Sequence, residues 1–240
     1  MSFIDQAREL LANFKGGNYI NGPGVLSRLP DIFAFYGKKV LLVRNTFAGS
    51  EDFLQVARSC LHAVDAVVVE TDGAQPNAPR EDLQRILEET QRTEPDVLLC
   101  FGGGSTIDAV KAAQVLYGLG GEIDEYFGTG LVSQAMKTSG KKLLPHIAIQ
   151  TVASSAAHLT KYSIITDVQK GQKKLIIDEA IVPEKSLFDF QVTYGTPISL
   201  TIDGALDGIS HCLEFLYSSV GKENYDLVEK VAGTTFIDSG

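Results

Sequence analysis

Four short runs of apolar residues set the tightest limit on what this chain can fold into. Residues 39–43 (Lys-Val-Leu-Leu-Val), 66–70 (Ala-Val-Val-Val-Glu), 96–101 (Asp-Val-Leu-Leu-Cys-Phe) and 145–149 (Pro-His-Ile-Ala-Ile) are strand-length, and Val and Ile are frequent in them. They are apolar at successive positions rather than alternate ones. That pattern suits strands of a parallel sheet covered by helices on both faces. Amphipathic stretches lie between the runs. Over residues 82–90, Leu83, Ile86 and Leu87 share one helical face, and residues 105–113 have helical composition with Ser105 as the starting residue. Strand–helix–strand order with short connections predicts a doubly wound α/β unit.

The pattern changes near residues 190–196. Between 201 and 220, Leu206, Ile209, Leu213 and Leu216 recur at helical spacing behind Pro197, and residues 225–231 also read as helical. The chain therefore divides into an α/β nucleotide-binding domain, 1–193, and the start of an all-helical domain, 194–240. Leu206, Ile209 and Leu213 are expected to pack inward. So short a helical part buries little surface by itself, so it should lean on the first domain, a partner or further sequence.

Composition narrows the function classes. The formal net charge is −9, from 21 basic and 30 acidic side chains, and the longest basic clusters are the pairs Lys141-Lys142 and Lys173-Lys174. No basic face for nucleic acid is visible, and an anionic ligand needs a local positive site because the global field repels it. The three cysteines, Cys60, Cys100 and Cys212, lack CxxC spacing and read as buried, reduced thiols. The N-terminus has no signal-peptide pattern, and no apolar stretch approaches the ~18 residues needed to cross a bilayer. The chain reads as cytoplasmic.

The sharpest local signal is Phe101-Gly102-Gly103-Gly104-Ser105-Thr106-Ile107-Asp108, after a strand and at the opening of a helix. Glycines allow close approach to a phosphate and positive φ where needed. The helix start then offers N–H groups and a partial positive charge. The spacing is neither GxGxxG nor the Walker pattern, so the loop indicates phosphate without naming the nucleotide. The alternative is a tight turn with Ser105 as a cap.

A second constellation is Asp207, His211 and Glu214, at i, i+4 and i+7 on one helical face. Asp and His together can present an oxygen and a nitrogen to a divalent metal. An exposed helical Asp–His pair is the plain alternative. The other histidines are His62, on what reads as a surface helix, His146 and His158.

Joined in order, these features resemble the iron-containing (group III) alcohol dehydrogenase family along nearly the whole chain. Gly22-Pro23-Gly24 is similar to its early glycine turn and Gln75-Pro76-Asn77-Ala78 to its Asn-Pro loop. Residues 102–111 match its GGGSxxDxxK signature, and residues 149–158 resemble the segment that wraps the cofactor. Gly204, Asp207, His211 and Glu214 match its GxDxxxHxxE helix. The resemblance implies an α/β domain and a helical domain with the active site between them. It implies a metal-dependent, NAD- or NADP-linked oxidoreductase that interconverts a small alcohol and its aldehyde or ketone. Cofactor contacts are implied for Asn45, Asn77, Gly103, Gly104, Ser105 and Asp108, and further along for Thr151, Ser155, Tyr162 and Lys173, with Lys174 as neighbour. Asp207 and His211 are implied as ligands to iron, with zinc as the alternative, in a homodimer or higher assembly. The polyol, glycerol-phosphate or dehydroquinate-type branch, or a catalytically incomplete nucleotide-binding fragment, are the competing readings.

Departures from the family pattern matter too. Where members usually carry an Asp after the first nucleotide-binding strand, this chain has Val43-Arg44-Asn45. Loss of a carboxylate there, with Arg44 free to pair a 2′-phosphate, predicts tolerance of NADP. Val152, Ser154 and His158 replace the usual Thr, Gly and Glu of the cofactor segment. The family's remaining metal ligands are downstream histidines, and none occurs between Cys212 and Gly240. The chain is therefore expected to be the N-terminal portion of a longer protein, binding nucleotide better than metal.

Overall fold

A computed structural model describes residues 2–220. In chain order, α1 (Phe3–Lys15) leads to β1 (Tyr19–Gly22), α2 (Leu29–Phe33), β2 (Lys39–Arg44), α3 (Ser50–His62) and β3 (Val67–Asp72). There follow α4 (Arg80–Thr93), β4 (Val97–Gly102), α5 (Gly104–Leu119), the short β5 (Gly128–Thr129), α6 (Leu131–Ser139) and β6 (His146–Gln150). A hairpin of β7 (Tyr162–Asp167) and β8 (Gln172–Ile177), then β9 (Lys185–Asp189) and α7 (Ile198–Val220), complete the described chain.

The main sheet has six parallel strands in the order β1-β9-β6-β4-β2-β3. The predicted α/β architecture with a parallel sheet is the one observed. β4 shows why its sequence is apolar at every position: all six of its residues are buried. Leu98 and Cys100 point into a core shared with α4 and α5, while Val97, Leu99 and Phe101 point into the opposite core beside α2 and α3. β3 departs from the fully buried strand that its Val-Val-Val run predicts. It is the sheet edge, and Val67 is 63% exposed, because among the described residues no strand lies beyond it.

A smaller sheet, β5-β8-β7, folds beside α5, with β7 and β8 antiparallel. Gly171 carries the left-handed turn between them at φ +60°. The predicted helix over 82–90 extends to the whole of α4, and Leu83, Ile86 and Leu87 are buried as the spacing requires.

α7 overturns one packing expectation. Leu206, Ile209 and Leu213 are 58%, 56% and 43% exposed rather than packed inward. Among the described residues no element covers that face, and the helix touches the α/β domain on another side, at Gly204. The helix predicted over 225–231 lies outside the described residues. No helix among the described residues is long and apolar enough to cross a membrane.

Candidate nucleotide site and metal-ligand helix

The order of strands places a crevice between β2 and β4. β2 connects outward to β3, while β4 lies on its other side, and such a reversal opens a cleft at the carboxyl ends of the strands. The glycine loop sits there. Gly103 is the N-cap of α5, in extended conformation at φ −82° and ψ −175°, and it supplies no side-chain cap. The Thr106 and Ile107 N–H groups donate to the Gly103 carbonyl, both at 3.1 Å. The N–H groups of Gly104 and Ser105 are thereby left as the outward donors of the first turn.

The reason for the glycines is space. None of Gly102, Gly103 and Gly104 takes positive φ, so the conformational part of the expectation does not hold. A Cβ on Gly102 would lie 2.6 Å from Asn45 Oδ1 and 2.8 Å from Thr106 Cβ. On Gly73 it would lie 2.7 Å from both Asn45 Nδ2 and Thr106 Oγ1, and on Gly104 it would overlap Ser155 Oγ. At Gly103 it would meet only Val152 Cγ2, at 3.6 Å.

Asn45 and Thr106 tie three segments together beneath this mouth. Thr106 Oγ1 donates to Asn45 Oδ1 and accepts from the Ala74 N–H at 3.0 Å. Asn45 Nδ2 donates to the Ala74 carbonyl at 3.3 Å, and the Asn45 N–H donates to the Phe101 carbonyl at 2.9 Å. The Asn45 amide thus makes one donation and one acceptance within the protein. Ser105 does not cap α5, as a starting residue would; one position past Gly104, its Oγ accepts from the Asn77 N–H at 3.0 Å. Asn77 has φ +70°, a conformation Asn tolerates better than most residues. Its Oδ1 accepts from Lys173 Nζ at 2.8 Å, and its carbonyl accepts from Thr166 Oγ1 at 2.5 Å. Ser105, Asn77 and Lys173 therefore form one rim.

Behind the rim, Asp108 accepts from the Ile164 N–H, one turn into α5. Lys111, fully buried, donates to the carbonyls of Ala157 and Thr160 at 2.7 Å and of Tyr162 at 2.8 Å. Burial pushes Lys111 down and Asp108 up, and each is drawn back by the other's charge. Three carbonyls converging on Lys111 suit its ammonium form. Tyr162 thus enters through its carbonyl, and residues 157–162 are pinned to α5. Lys111 and Thr106 lie within the glycine signature but are not among the candidate site residues from sequence, because their roles depend on strands distant in the chain.

The segment before this anchor runs past the mouth. The Thr151 N–H donates to the Gly102 carbonyl at 3.1 Å, and Ser155, exposed, stands over Gly104 and accepts from the Ala157 N–H at 3.4 Å. His158 is buried, with Tyr19 and Phe188 rings centred 5.4 and 5.9 Å away, and neither ring nitrogen has a hydrogen-bond partner. Burial pushes it down to about 3.

Arg44 is ion-paired within the protein. Its Nη1 lies 2.5 Å from Asp72 Oδ1 and its Nε 3.2 Å from Glu70 Oε2. The expectation that Arg44 stands free to pair a 2′-phosphate therefore meets two carboxylates already paired with it, while the absence of an Asp at positions 43–45 is unchanged.

On α7, Asp207 Oδ2 and His211 Nδ1 lie 3.6 Å apart, and both side chains are exposed. Glu214, exposed, continues the same helix. Among the described residues no group of three or more His, Cys, Asp or Glu side chains converges as a metal site. The pair offers two donors, half of a tetrahedral set. α7 meets the cofactor segment at Gly204, where a Cβ would overlap the Ala153 carbonyl oxygen.

Comparison with known proteins accords with this arrangement. The family model for iron-containing alcohol dehydrogenase matches residues 16–190. Alcohol dehydrogenase 4 of Saccharomyces cerevisiae is 31% identical over 182 residues, 76% of this chain and 46% of that protein. The NAD-dependent methanol dehydrogenase of Bacillus methanolicus is 28% identical over 177 residues, 74% of this chain and 45% of that protein. The crystal structure of NADH-dependent butanol dehydrogenase A from Thermotoga maritima superposes with a TM-score of 0.75 at 23% identity, over 84% of this chain and 50% of that one. The chain spans about half the length of these relatives. With its family match covering most of the α/β domain, the chain belongs to the iron-containing alcohol dehydrogenase family.

Proposed function

We propose that this chain binds NAD(H) across the mouth formed by residues 102–105. In this reading it is the nucleotide-binding part of a metal-assisted oxidoreductase that interconverts a small alcohol and its aldehyde or ketone. The observation that carries the reading is the bare start of α5. Gly103 caps it without a side chain, a Cβ there would meet only Val152 at ordinary contact distance, and the Gly104 and Ser105 N–H groups are first-turn donors without a helical acceptor. A pyrophosphate suits such a helix start, which supplies local attraction in a chain of net charge −9. The neighbouring rim of Ser105, Asn77 and Lys173 adds one ammonium group beside the same mouth. The names of the yeast and Bacillus relatives support an alcohol as substrate, and that of the Bacillus relative supports NAD.

The residues present fit the dinucleotide. Asp207 and His211 fit the first two positions of a divalent ion, iron by family and zinc by ligand chemistry, and leave the others to donors beyond the described residues. When bound, these groups supply hydride transfer and polarisation of the substrate oxygen. This chain's own residues hold the pyrophosphate, orient the dinucleotide through the Ser105–Asn77–Lys173 rim, and keep the cofactor segment seated through Lys111.

Titration of the 240-residue chain with NADH, followed by nicotinamide fluorescence, tests this. Gly103→Val adds a side chain at a position with ordinary φ whose Cβ would meet only the Val152 side chain, at 3.6 Å, so the fold should hold while the mouth is blocked. The expected result is a Kd raised by about tenfold or more, a cost of roughly 1.4 kcal/mol, with unchanged Tm. No binding by the unaltered chain, or equal binding by the variant, overturns the reading.

A further inference from the structure

The corner beside the mouth where β2 and β3 end carries an ion-pair network that the phosphate-binding turn does not use. Arg44 and Asp72 are register partners at the last positions of these parallel strands, joined at 2.5 Å. Glu70 receives Arg44 at 3.2 Å and, from the other side, Arg58 of α3 at 2.6 Å; Arg58 also reaches Glu51 at 2.5 Å. Three carboxylates thus face two guanidinium groups. Arg85, the next nearby cation, is committed to the carbonyls of Asp72 (2.6 Å) and Gly73 (2.8 Å) and to the Asp82 carboxylate (3.0 Å). Every arginine of this corner is already paired, and the sum of the Arg44–Arg58 network is negative.

The corner belongs to the edge of the mouth. Asp72 directly precedes Gly73, which is packed against Asn45 and Thr106, and the Gly73 N–H donates to the Arg44 carbonyl at 2.7 Å. The Asp72 side chain is 76% exposed, so a ligand can reach its carboxylate. A ribose hydroxyl donates to a carboxylate, whereas a 2′-phosphate needs a free cation and meets repulsion here.

We infer that the Arg44–Asp72 pair selects the dinucleotide, accepting one with a free 2′-hydroxyl and rejecting one with a 2′-phosphate. The inference rests on the nucleotide reading above. Arg44 serves as the positioning residue: it holds Asp72 at the strand end, and its charge is already offset by Asp72 and Glu70.

Titrations of the full 240-residue chain with NADH and with NADPH, repeated for Asp72→Asn and for the remote surface variant Asp31→Asn, test it. The unaltered chain should bind NADH about tenfold or more tighter than NADPH. Asp72→Asn should narrow that ratio by about fivefold, chiefly by tightening NADPH, with a smaller effect as salt rises. Asp31→Asn should leave the ratio as it was. Equal affinity of the unaltered chain for both nucleotides, or an unchanged ratio in Asp72→Asn, overturns the inference while leaving the nucleotide reading intact. Failure to bind either nucleotide overturns both.

Discussion

Gly204 of α7 stands against the backbone of Ala153, so closely that a methyl group at Gly204 would overlap the Ala153 carbonyl oxygen. That contact joins the helix carrying Asp207 and His211 to the segment that runs past the glycine mouth. It occurs one turn before Asp207 on the same helix, so the seat of Gly204 positions the candidate metal ligands relative to the candidate cofactor site.

The sign of a stability change tests this contact. Glycine to alanine inside a helix ordinarily stabilises by roughly 1 kcal/mol, and Gly208, with nothing within 4 Å of its Cβ position, should behave so. Gly204→Ala should instead destabilise by about 1–3 kcal/mol, because backbone has to move. Urea midpoints of the two variants check the opposite signs; stabilisation by both would remove the contact.

Thr106→Val keeps the shape of the side chain and deletes its hydroxyl. The Ala74 N–H and Asn45 Oδ1 then lose a shared partner beneath the mouth. A loss of about 1–3 kcal/mol is expected for the buried groups left unmet, with weaker NADH binding as Asn45 and Gly73 shift. Thr106→Ser should restore both. Chemical denaturation and the NADH titration read the two effects separately.

The buried histidines make stability depend on pH. Burial pushes His146 and His158 down to about 3 from 6.5, and neither ring has a hydrogen-bond partner. The unfolded chain therefore takes up protons below about 6.5 that the folded chain refuses. Their contribution is complete above that pH and is lost as the pH falls toward 3. Each contributes a slope of up to about 1.4 kcal/mol per pH unit. Asp108, pushed up by burial, acts in the opposite sense. His146→Leu, which replaces an unpartnered ring with an apolar side chain, should leave the midpoint at pH 7 equal or higher and flatten the decline between pH 6.5 and 5. An unchanged slope would show that His146 is not buried neutral.

Much of the frame was legible because it rests on short-range patterns. The core strands β2, β4 and β6 announce themselves as runs apolar at successive positions, since both faces are buried. α4 shows its inner face through Leu83, Ile86 and Leu87. By contrast, β1 and β9 are short and carry the polar residues Asn21, Lys185 and Asp189, so periodicity alone does not set them apart. The hairpin β7–β8 mixes exposed Gln172 and Lys173 with buried Ile176 because only part of it faces α5. Arg44 read as a free cation because its partners, Glu70 and Asp72, come from another strand.

The amino-acid sequence by itself determined the α/β frame, the glycine turn that opens α5 and the Asp207–His211 pair on one helical face, since each depends on residues close together in the chain. Tertiary structure alone decided what those residues do to one another. It turned the glycines from a source of unusual φ into a means of close packing against Asn45, Thr106 and Ser155. It brought Lys173 to Asn77 across 96 positions and placed Gly204 on Ala153. It also left Leu206, Ile209 and Leu213 uncovered among the described residues. Spacing along a helix tells which side chains share a face; only the packing of distant segments tells whether anything lies against it.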